Sequence, residues 1–285
     1  TQKWTLFPYT TLFRSYEHRD EFFPTLFVKS KKDTKYKTLN GESVEAINPG
    51  TVRECRDFYK KYEDVENFEI YGNDRYIYQY ISDKYPEDEI KFDISQIKLV
   101  TLDIEVASEH GFPDVESCSE EILAITIQDY TTKQIITWGS KPFQNNRKDV
   151  TYHHCPTEYE LLSSFINYWM EDVPDVITGW NIQLYDIPYI ARRIDRILGE
   201  KLMKRLSPWG LVSEGETFIK GRKHITFDVG GVCQLDYLDL YKKFTYKAQE
   251  SYRLDYIAQV ELGQKKLDHS EFDTFKDFYT KGWQK

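Results

Sequence analysis

The chain has 285 residues, 40% of them hydrophobic and 16% aromatic, enough to bury the core of one large domain or two ordinary ones, which excludes a disordered tail. Its 38 Lys and Arg stand against 47 Asp and Glu, a formal net charge of −9; this excludes a module that grips nucleic acid by bulk positive charge, so an anionic substrate must be met locally, by cations held on carboxylates. No apolar run approaches the roughly 20 residues of a membrane span and no start resembles a signal peptide, so a soluble, intracellular protein with no membrane partner is expected.

Residues 1–15 nearly repeat a Thr-Leu-Phe unit, at Thr5-Leu6-Phe7 and Thr11-Leu12-Phe13. They fit neither the helical nor the strand period and read as a non-native leader. Residues 16–95 read as a small α+β unit. A strand is expected over 22–28, a turn at Asn48-Pro49-Gly50, and a helix over 51–62 with Val52, Cys55, Phe58 and Tyr59 on one side. The aromatic-rich stretch 71–81 suits a strand.

Residues 96–285 form a second unit. A largely apolar strand is expected over 97–106, then a hairpin of strands 122–128 and 134–138 through Tyr130-Thr131-Thr132-Lys133. Thr157 with Glu160 three residues later opens a helix through a capping box, and Leu161, Leu162, Phe165, Ile166 and Trp169 form its buried stripe. A strand returns over 175–180. Pro188 suits the first turn of the next helix, whose Ile187, Ile190, Ile194 and Ile197 face one way before Gly199 stops it. Residues 207–231 are loop-rich with a hairpin around Gly221, 232–235 form a strand, and Ser251 caps a helix running to Leu262 and closed by Gly263. The fold class is α/β: an α+β unit followed by a mixed sheet with helices on its faces.

Cysteines 55, 118, 155 and 233 lack metal-site spacing and fit reduced structural thiols. His153-His154 reads as a loop or strand end rather than a metal pair, because adjacent side chains on a strand diverge. The chemistry lies in the acids. In Thr101-Leu102-Asp103-Ile104-Glu105-Val106, alternation puts Asp103 and Glu105 on one face, with Leu102, Ile104 and Val106 on the other. Some eighty residues later comes Gly179-Trp180-Asn181, then Asp186-Ile187-Pro188-Tyr189. Taken singly, Asp186 fits an N-cap and the strand acids fit a solvated face; taken together they read as a divalent-metal site.

These residues also carry a resemblance. D-I-E on a strand followed by G-W-N-x-x-x-x-D-x-P-Y resembles the first two exonuclease motifs of family B DNA polymerases, whose proofreading domain is ribonuclease-H-like. Arg205-Leu206-Ser207-Pro208, the run from Leu235 to Phe244 and Ser251-Tyr252-Arg253-Leu254-Asp255-Tyr256-Ile257 resemble the replicative polymerases of T4-like bacteriophages in particular, and the run from Glu21 to Phe27 is similar to the start of their N-terminal domain.

The resemblance implies 3′–5′ exonucleolytic removal of single nucleotides from DNA. Two Mg²⁺ or Mn²⁺ ions would serve it, the tighter held by Asp103 and Glu105 and the second shared by Asp186. It places Asn181 near the metal pocket and Phe112, in Gly111-Phe112-Pro113, beside the incoming 3′ strand. The hairpin around Gly221 resembles the segment that helps pass a primer end between polymerase and nuclease sites. Implied partners are a single-stranded 3′ end or primer-template DNA, the remainder of the polymerase chain, a sliding clamp and other replisome proteins, in the cytoplasm of an infected bacterial host.

One departure stands out. The family's third motif, Y-x-x-x-D, is absent from Gln234 to Lys285: Tyr252 is followed at that distance by Tyr256 and Tyr279 by Trp283. The expectation is an amino-terminal polymerase fragment with no polymerase site and a weak or inactive exonuclease. The alternatives are a stand-alone DnaQ-like exonuclease of the same fold, a non-catalytic DNA-binding module, and an RNA-directed nuclease.

Overall fold

A computed structural model describes residues 20–86, 93–108, 111–265, 271–272 and 274–284. The leader expected over 1–15 lies outside these residues. The chain divides into two compact units with the boundary after residue 91.

In the first unit, β1 (Leu26–Lys29), β2 (Tyr36–Lys37), β3 (Ser43–Ile47) and β4 (Ile70–Tyr71) form an antiparallel sheet in the order β2-β3-β1-β4. Helix α1 (Val52–Tyr62) is entered through a capping box: Thr51 Oγ1 accepts the Glu54 N–H and Glu54 Oε2 accepts the Thr51 N–H at 2.7 Å. Val52 and Cys55 of α1 pack with Leu26 and Tyr76 into a small core.

The strand expected over 71–81 is a correction. β4 ends at Tyr71, and residues Tyr76–Lys84 are helical, α2. Tyr76 is buried, Gln79 bonds both the N–H and the C=O of Thr25 (3.0 and 2.9 Å), and Tyr80 packs edge-on against Phe22. Those contacts recur at helical spacing, so packing on Leu26 and the residues just before β1 outweighs the β-propensity of the tyrosines. The strand expected from residue 22 starts only at Leu26.

The second unit is built on β5 (Leu99–Val106), β6 (Ile122–Asp129), β7 (Ile135–Gly139), β8 (Val150–His154), β9 (Val176–Gly179) and β12 (Cys233–Asp236), in the order β12-β9-β5-β6-β7-β8. β12, β9 and β5 run parallel, β6 runs antiparallel to both β5 and β7, and β8 is parallel to β7. The sheet is mixed and flanked by helices, consistent with a ribonuclease-H-like domain. Asp129 closes the β6–β7 turn by accepting the Thr132 N–H at 2.7 Å. β8 ends on His153 and His154, and His153 stacks on Trp138 at 5.6 Å.

Helix α3 (Glu158–Glu171) starts through the expected Thr157–Glu160 capping box and buries Leu161, Leu162, Phe165, Ile166 and Trp169. Fully burying one such side chain is worth about 1.5–3 kcal/mol, so this stripe fixes the helix on the sheet. Helix α4 (Asp186–Leu198) buries Ile187, Ile190 and Ile194 and stops at Gly199, whose φ of 91° suits glycine. A short α5 (Glu200–Met203) follows. β10 (Val212–Ile219) and β11 (Arg222–Val229) form the hairpin, turned at Lys220 and Gly221 with positive φ at both.

Helix α6 (Tyr237–Phe244) follows β12 directly, capped by Asp236. Helix α7 (Leu254–Leu262) begins three residues after Ser251, whose Oγ instead accepts the Arg253 N–H at 3.3 Å, a local turn that delays the helix. Helix α8 (Phe275–Lys281) is capped by Thr274. All four cysteines are free, with Cys55, Cys118 and Cys155 buried. Among the described residues no helix is long and apolar enough to cross a membrane.

Candidate active site

The pleat of β5 presents the first two acids. Leu102, Ile104 and Val106 are buried; Asp103 and Glu105 between them take the opposite face, Asp103 exposed and Glu105 half-buried. The register with β6 shifts between Glu105 and Val106, beside the acids, before pairing resumes at Val106 and Ile122.

The third acid arrives from β9, which runs parallel to β5 with Thr178 opposite Thr101 and stops at Gly179. A Cβ on Gly179 would lie 2.5 Å from the Leu102 carbonyl and 2.4 Å from Ile182 Cγ2. Only glycine lets the chain pass this close to β5, one residue before Asp103. Asn181 then turns the chain at φ 66°, a left-handed conformation that asparagine tolerates, and its carbonyl accepts the N–H groups of Leu184 and Tyr185. Helix α4 opens at once with Asp186, and its N-cap, Tyr185, makes no side-chain cap. Asp186 Oδ1 instead accepts the N–H of Ile104 at 3.1 Å, the residue between Asp103 and Glu105.

Asp186 is 4% exposed. Burial above all, and then the charge of Asp103, push its carboxyl up to about 8 against the opposing pull of the Ile104 N–H, with Asp236 adding to the rise. Burial raises the Tyr185 hydroxyl, and the charges of Asp186 and Glu105 raise it further. Tyr279, on α8, is raised by burial, then by Glu105, with Tyr185 and Asp103 contributing. Its hydroxyl donates to Glu105 Oε2 at 2.5 Å. Three acids and two tyrosines thus act on one another in a single patch.

Among the described residues no three His, Cys, Asp or Glu side chains lie close enough together to hold a metal ion as they stand. The chemistry of the donors nonetheless fits one. A buried carboxylate raised by a second carboxylate is balanced by a proton or a cation, and a donor set of oxygens suits hard Mg²⁺ or Mn²⁺.

Phe112 is 84% exposed, its ring 5.5 Å from that of Tyr185. The segment that follows Phe112 is tied to α4. Arg192 donates to the carbonyls of Val115 and Glu116, Arg193 to that of Cys118, Arg196 to that of Ser117, and Tyr189 to that of Glu120. The helix that carries Asp186 therefore also anchors the Phe112 segment. The contact found for Asn181 is through its backbone: its N–H donates to Asp236 Oδ1 at 2.9 Å.

Sequence reasoning missed three of these residues. Tyr279 lacks the aspartate four residues on that would have marked it, since Trp283 stands there. Tyr185 carries no signature beyond adjacency to Asp186. Asp236 follows the strand expected over 232–235 with no motif spacing that marks it as a site residue.

Residues 51–257 match the family described as DNA polymerase family B, exonuclease domain, a stretch that runs through both units. The chain is 33% identical over 278 residues to the DNA-directed DNA polymerase of Escherichia phage RB69 and 34% identical over 275 residues to that of Enterobacteria phage T4. Each alignment covers 87% of this chain and 30% of the phage protein. Similarity extends to the DNA polymerase catalytic subunit of human herpesvirus 6B, 28% identical over 192 residues, 62% of this chain and 18% of that subunit. The chain thus spans less than a third of the length of these relatives. It belongs to the family B DNA polymerases, as a member of their exonuclease-domain family.

Proposed function

We propose that the chain is the proofreading part of a DNA-directed DNA polymerase and removes nucleotides one at a time from a DNA 3′ end. The observation that carries this reading is the Ile104 N–H bond to the buried Asp186 carboxylate, which draws an acid of α4 to the strand position between Asp103 and Glu105. Asp103 and Glu105 would hold the tighter of two Mg²⁺ or Mn²⁺ ions, and Asp186 would share the second. Such ions, when bound, supply Lewis acidity that makes water nucleophilic and offsets the charge building on the scissile phosphate.

The chain's own residues set the geometry. The Tyr279 hydroxyl fixes the direction of the Glu105 carboxylate, which helps orient the attacking water. Phe112, exposed beside Tyr185, offers a ring face to the terminal base. Asn181 shapes the turn ahead of Asp186. The partners this reading implies are primer-template DNA with a frayed 3′ end, the remainder of a polymerase chain, a sliding clamp and other replisome proteins, in the cytoplasm of an infected bacterium.

The experiment is a Mn²⁺ titration of the wild type and of Asp103→Ala, run beside Mg²⁺-dependent shortening of a 3′-labelled single strand. The wild type is expected to bind Mn²⁺ and to shorten the strand slowly from its 3′ end; Asp103→Ala loses at least about 100-fold in Mn²⁺ affinity and all measurable shortening. A wild type unchanged by Mn²⁺, or carboxylate variants that bind it equally well, would replace this reading with that of a non-catalytic module.

A further inference from the structure

Asp236 is 6% exposed and ends β12, paired in register with Gly179 of β9. As the N-cap of α6 it needs only one bond, and it makes that bond: Oδ1 accepts the Leu238 N–H at 2.9 Å. Two further bonds reach across the sequence. The same Oδ1 accepts the N–H of Asn181, 55 residues away, and Oδ2 accepts that of Gln183, 53 residues away, at 3.1 Å. The Gln183 side chain adds a bond to the carbonyl of Gln234, at 3.1 Å, just before Asp236.

From this anchored turn the start of α4 is determined within three residues. The Asn181 carbonyl takes the N–H groups of Leu184 and Tyr185, and the Ile182 carbonyl takes that of Ile187, so Asp186 is bracketed by residues whose amides are already committed. With both oxygens engaged by backbone N–H groups, Asp236 is suited to hold a loop rather than a cation.

We propose that Asp236 is a positioning residue for the nuclease site: it clamps the turn at 181–183 and thereby sets where the Asp186 carboxylate stands relative to Asp103 and Glu105. This rests on the metal-site reading above. Groups that orient metal ligands without touching the ion typically contribute 10- to 100-fold to affinity or activity.

Asp236→Asn keeps an Oδ1 acceptor but sets an N–H₂ donor against the Gln183 N–H; Asp236→Ala removes the clamp. Three readouts are taken on the full chain: amide hydrogen exchange at Asn181 and Gln183, the Mn²⁺ dissociation constant, and kcat and KM on a 3′-labelled single strand at low and high Mn²⁺. Expected for Asp236→Asn are faster exchange at Gln183 and a roughly 10-fold weaker Mn²⁺ affinity. Asp236→Ala should expose both amides and weaken Mn²⁺ by about 100-fold. In both variants kcat falls while KM for DNA holds, and excess Mn²⁺ restores kcat because the ligands themselves are intact; Asp186→Asn is not restored.

Should Asp236→Ala fail to fold, Asp236→Asn decides alone. Variants that fold, bind Mn²⁺ as the wild type does and keep kcat overturn this proposal and leave the metal site standing, provided Asp103→Ala has lost Mn²⁺. If Asp103→Ala binds Mn²⁺ as well as the wild type, the metal-site reading falls first and this inference with it.

Discussion

Glu158 and Asp186 occupy equivalent places in the same unit. Each is the first residue of a helix packed on the sheet, α3 or α4, and each is nearly buried, at 8% and 4% exposure. Each reaches back to accept a backbone N–H from a neighbouring strand: Ile122 of β6 at 2.8 Å, Ile104 of β5 at 3.1 Å. They differ in what balances the charge. Glu158 is gripped by the Arg193 guanidinium, whose Nε lies 2.8 Å from Oε1 and whose terminal nitrogen pairs with Oε2. Asp186 is opposed by the charges of Asp103 and Asp236. One position is a finished structural joint, and the other holds a charge deficit that a proton or a cation can fill.

The largest expected effect breaks the finished joint. Arg193→Met leaves Glu158 buried without its counter-charge, which should cost about 3–5 kcal/mol in urea unfolding. The same substitution removes a donor from the Cys118 carbonyl, so the Phe112 segment should loosen too, seen as faster amide exchange there. A cost below about 1 kcal/mol would mean that Glu158 and Asp186 are alike in being uncompensated, and the comparison would fail.

The next effect concerns the deficit. The folded-state carboxyl of Asp186 lies near 8, above its ordinary 3.8. Between those values the folded chain keeps a proton that the unfolded chain has released, so this group's contribution to stability is complete below about pH 4 and is lost as pH rises through 8. Asp186→Asn, which keeps an oxygen for the Ile104 N–H, should therefore stabilise the metal-free chain at pH 9, by on the order of 1–3 kcal/mol, and leave it unchanged near pH 4. A proton on Asp186 competes with a shared ion, so the part of the Mn²⁺ stabilisation that depends on Asp186 should grow from pH 5 to pH 8 in the wild type and be missing from the variant, which keeps only what Asp103 and Glu105 would hold. Thermal unfolding at three pH values, with and without Mn²⁺, reads both; a variant no more stable than the wild type at pH 9 would show that Asp186 carries no such deficit.

Much of this was legible in the sequence where the signal was local. The alternation of β5, the Thr157–Glu160 box, the isoleucine stripe of α4 and the Gly221 hairpin each follow from periodicity or turn chemistry within one element. The failures share a physical cause: the deciding contacts lie far apart in the chain. Residues 71–81 look like a strand by composition, yet 76–84 are helical because Tyr76, Gln79 and Tyr80 meet Leu26, Thr25 and Phe22 at helical spacing. Strand β8 is too polar to announce itself, and it pairs only because β7 offers an edge. Within the site the two motifs indicated which acids matter, but neither the Asp236 clamp, which spans 53 and 55 residues, nor the Tyr279 contact, 174 residues from Glu105, leaves any local trace.

The smallest effect separates the two helix starts from each other. α3 commits its first turn to itself: Thr157 Oγ1 accepts the Glu160 N–H, and Glu160 Oε2 returns to the Thr157 N–H at 3.1 Å. α4 has no such cap, since Tyr185 offers none and Asp186 points to β5. Thr157→Ala should cost about 1 kcal/mol, as cap removal commonly does, and leave Mn²⁺ affinity untouched, because nothing in the cap reaches β5. If Thr157→Ala weakened Mn²⁺ as well, the start of α3 would be coupled to the acids through Glu158, Arg193 and α4. The structural joint and the charge deficit would then be two ends of one device rather than two separate uses of a helix N-terminus.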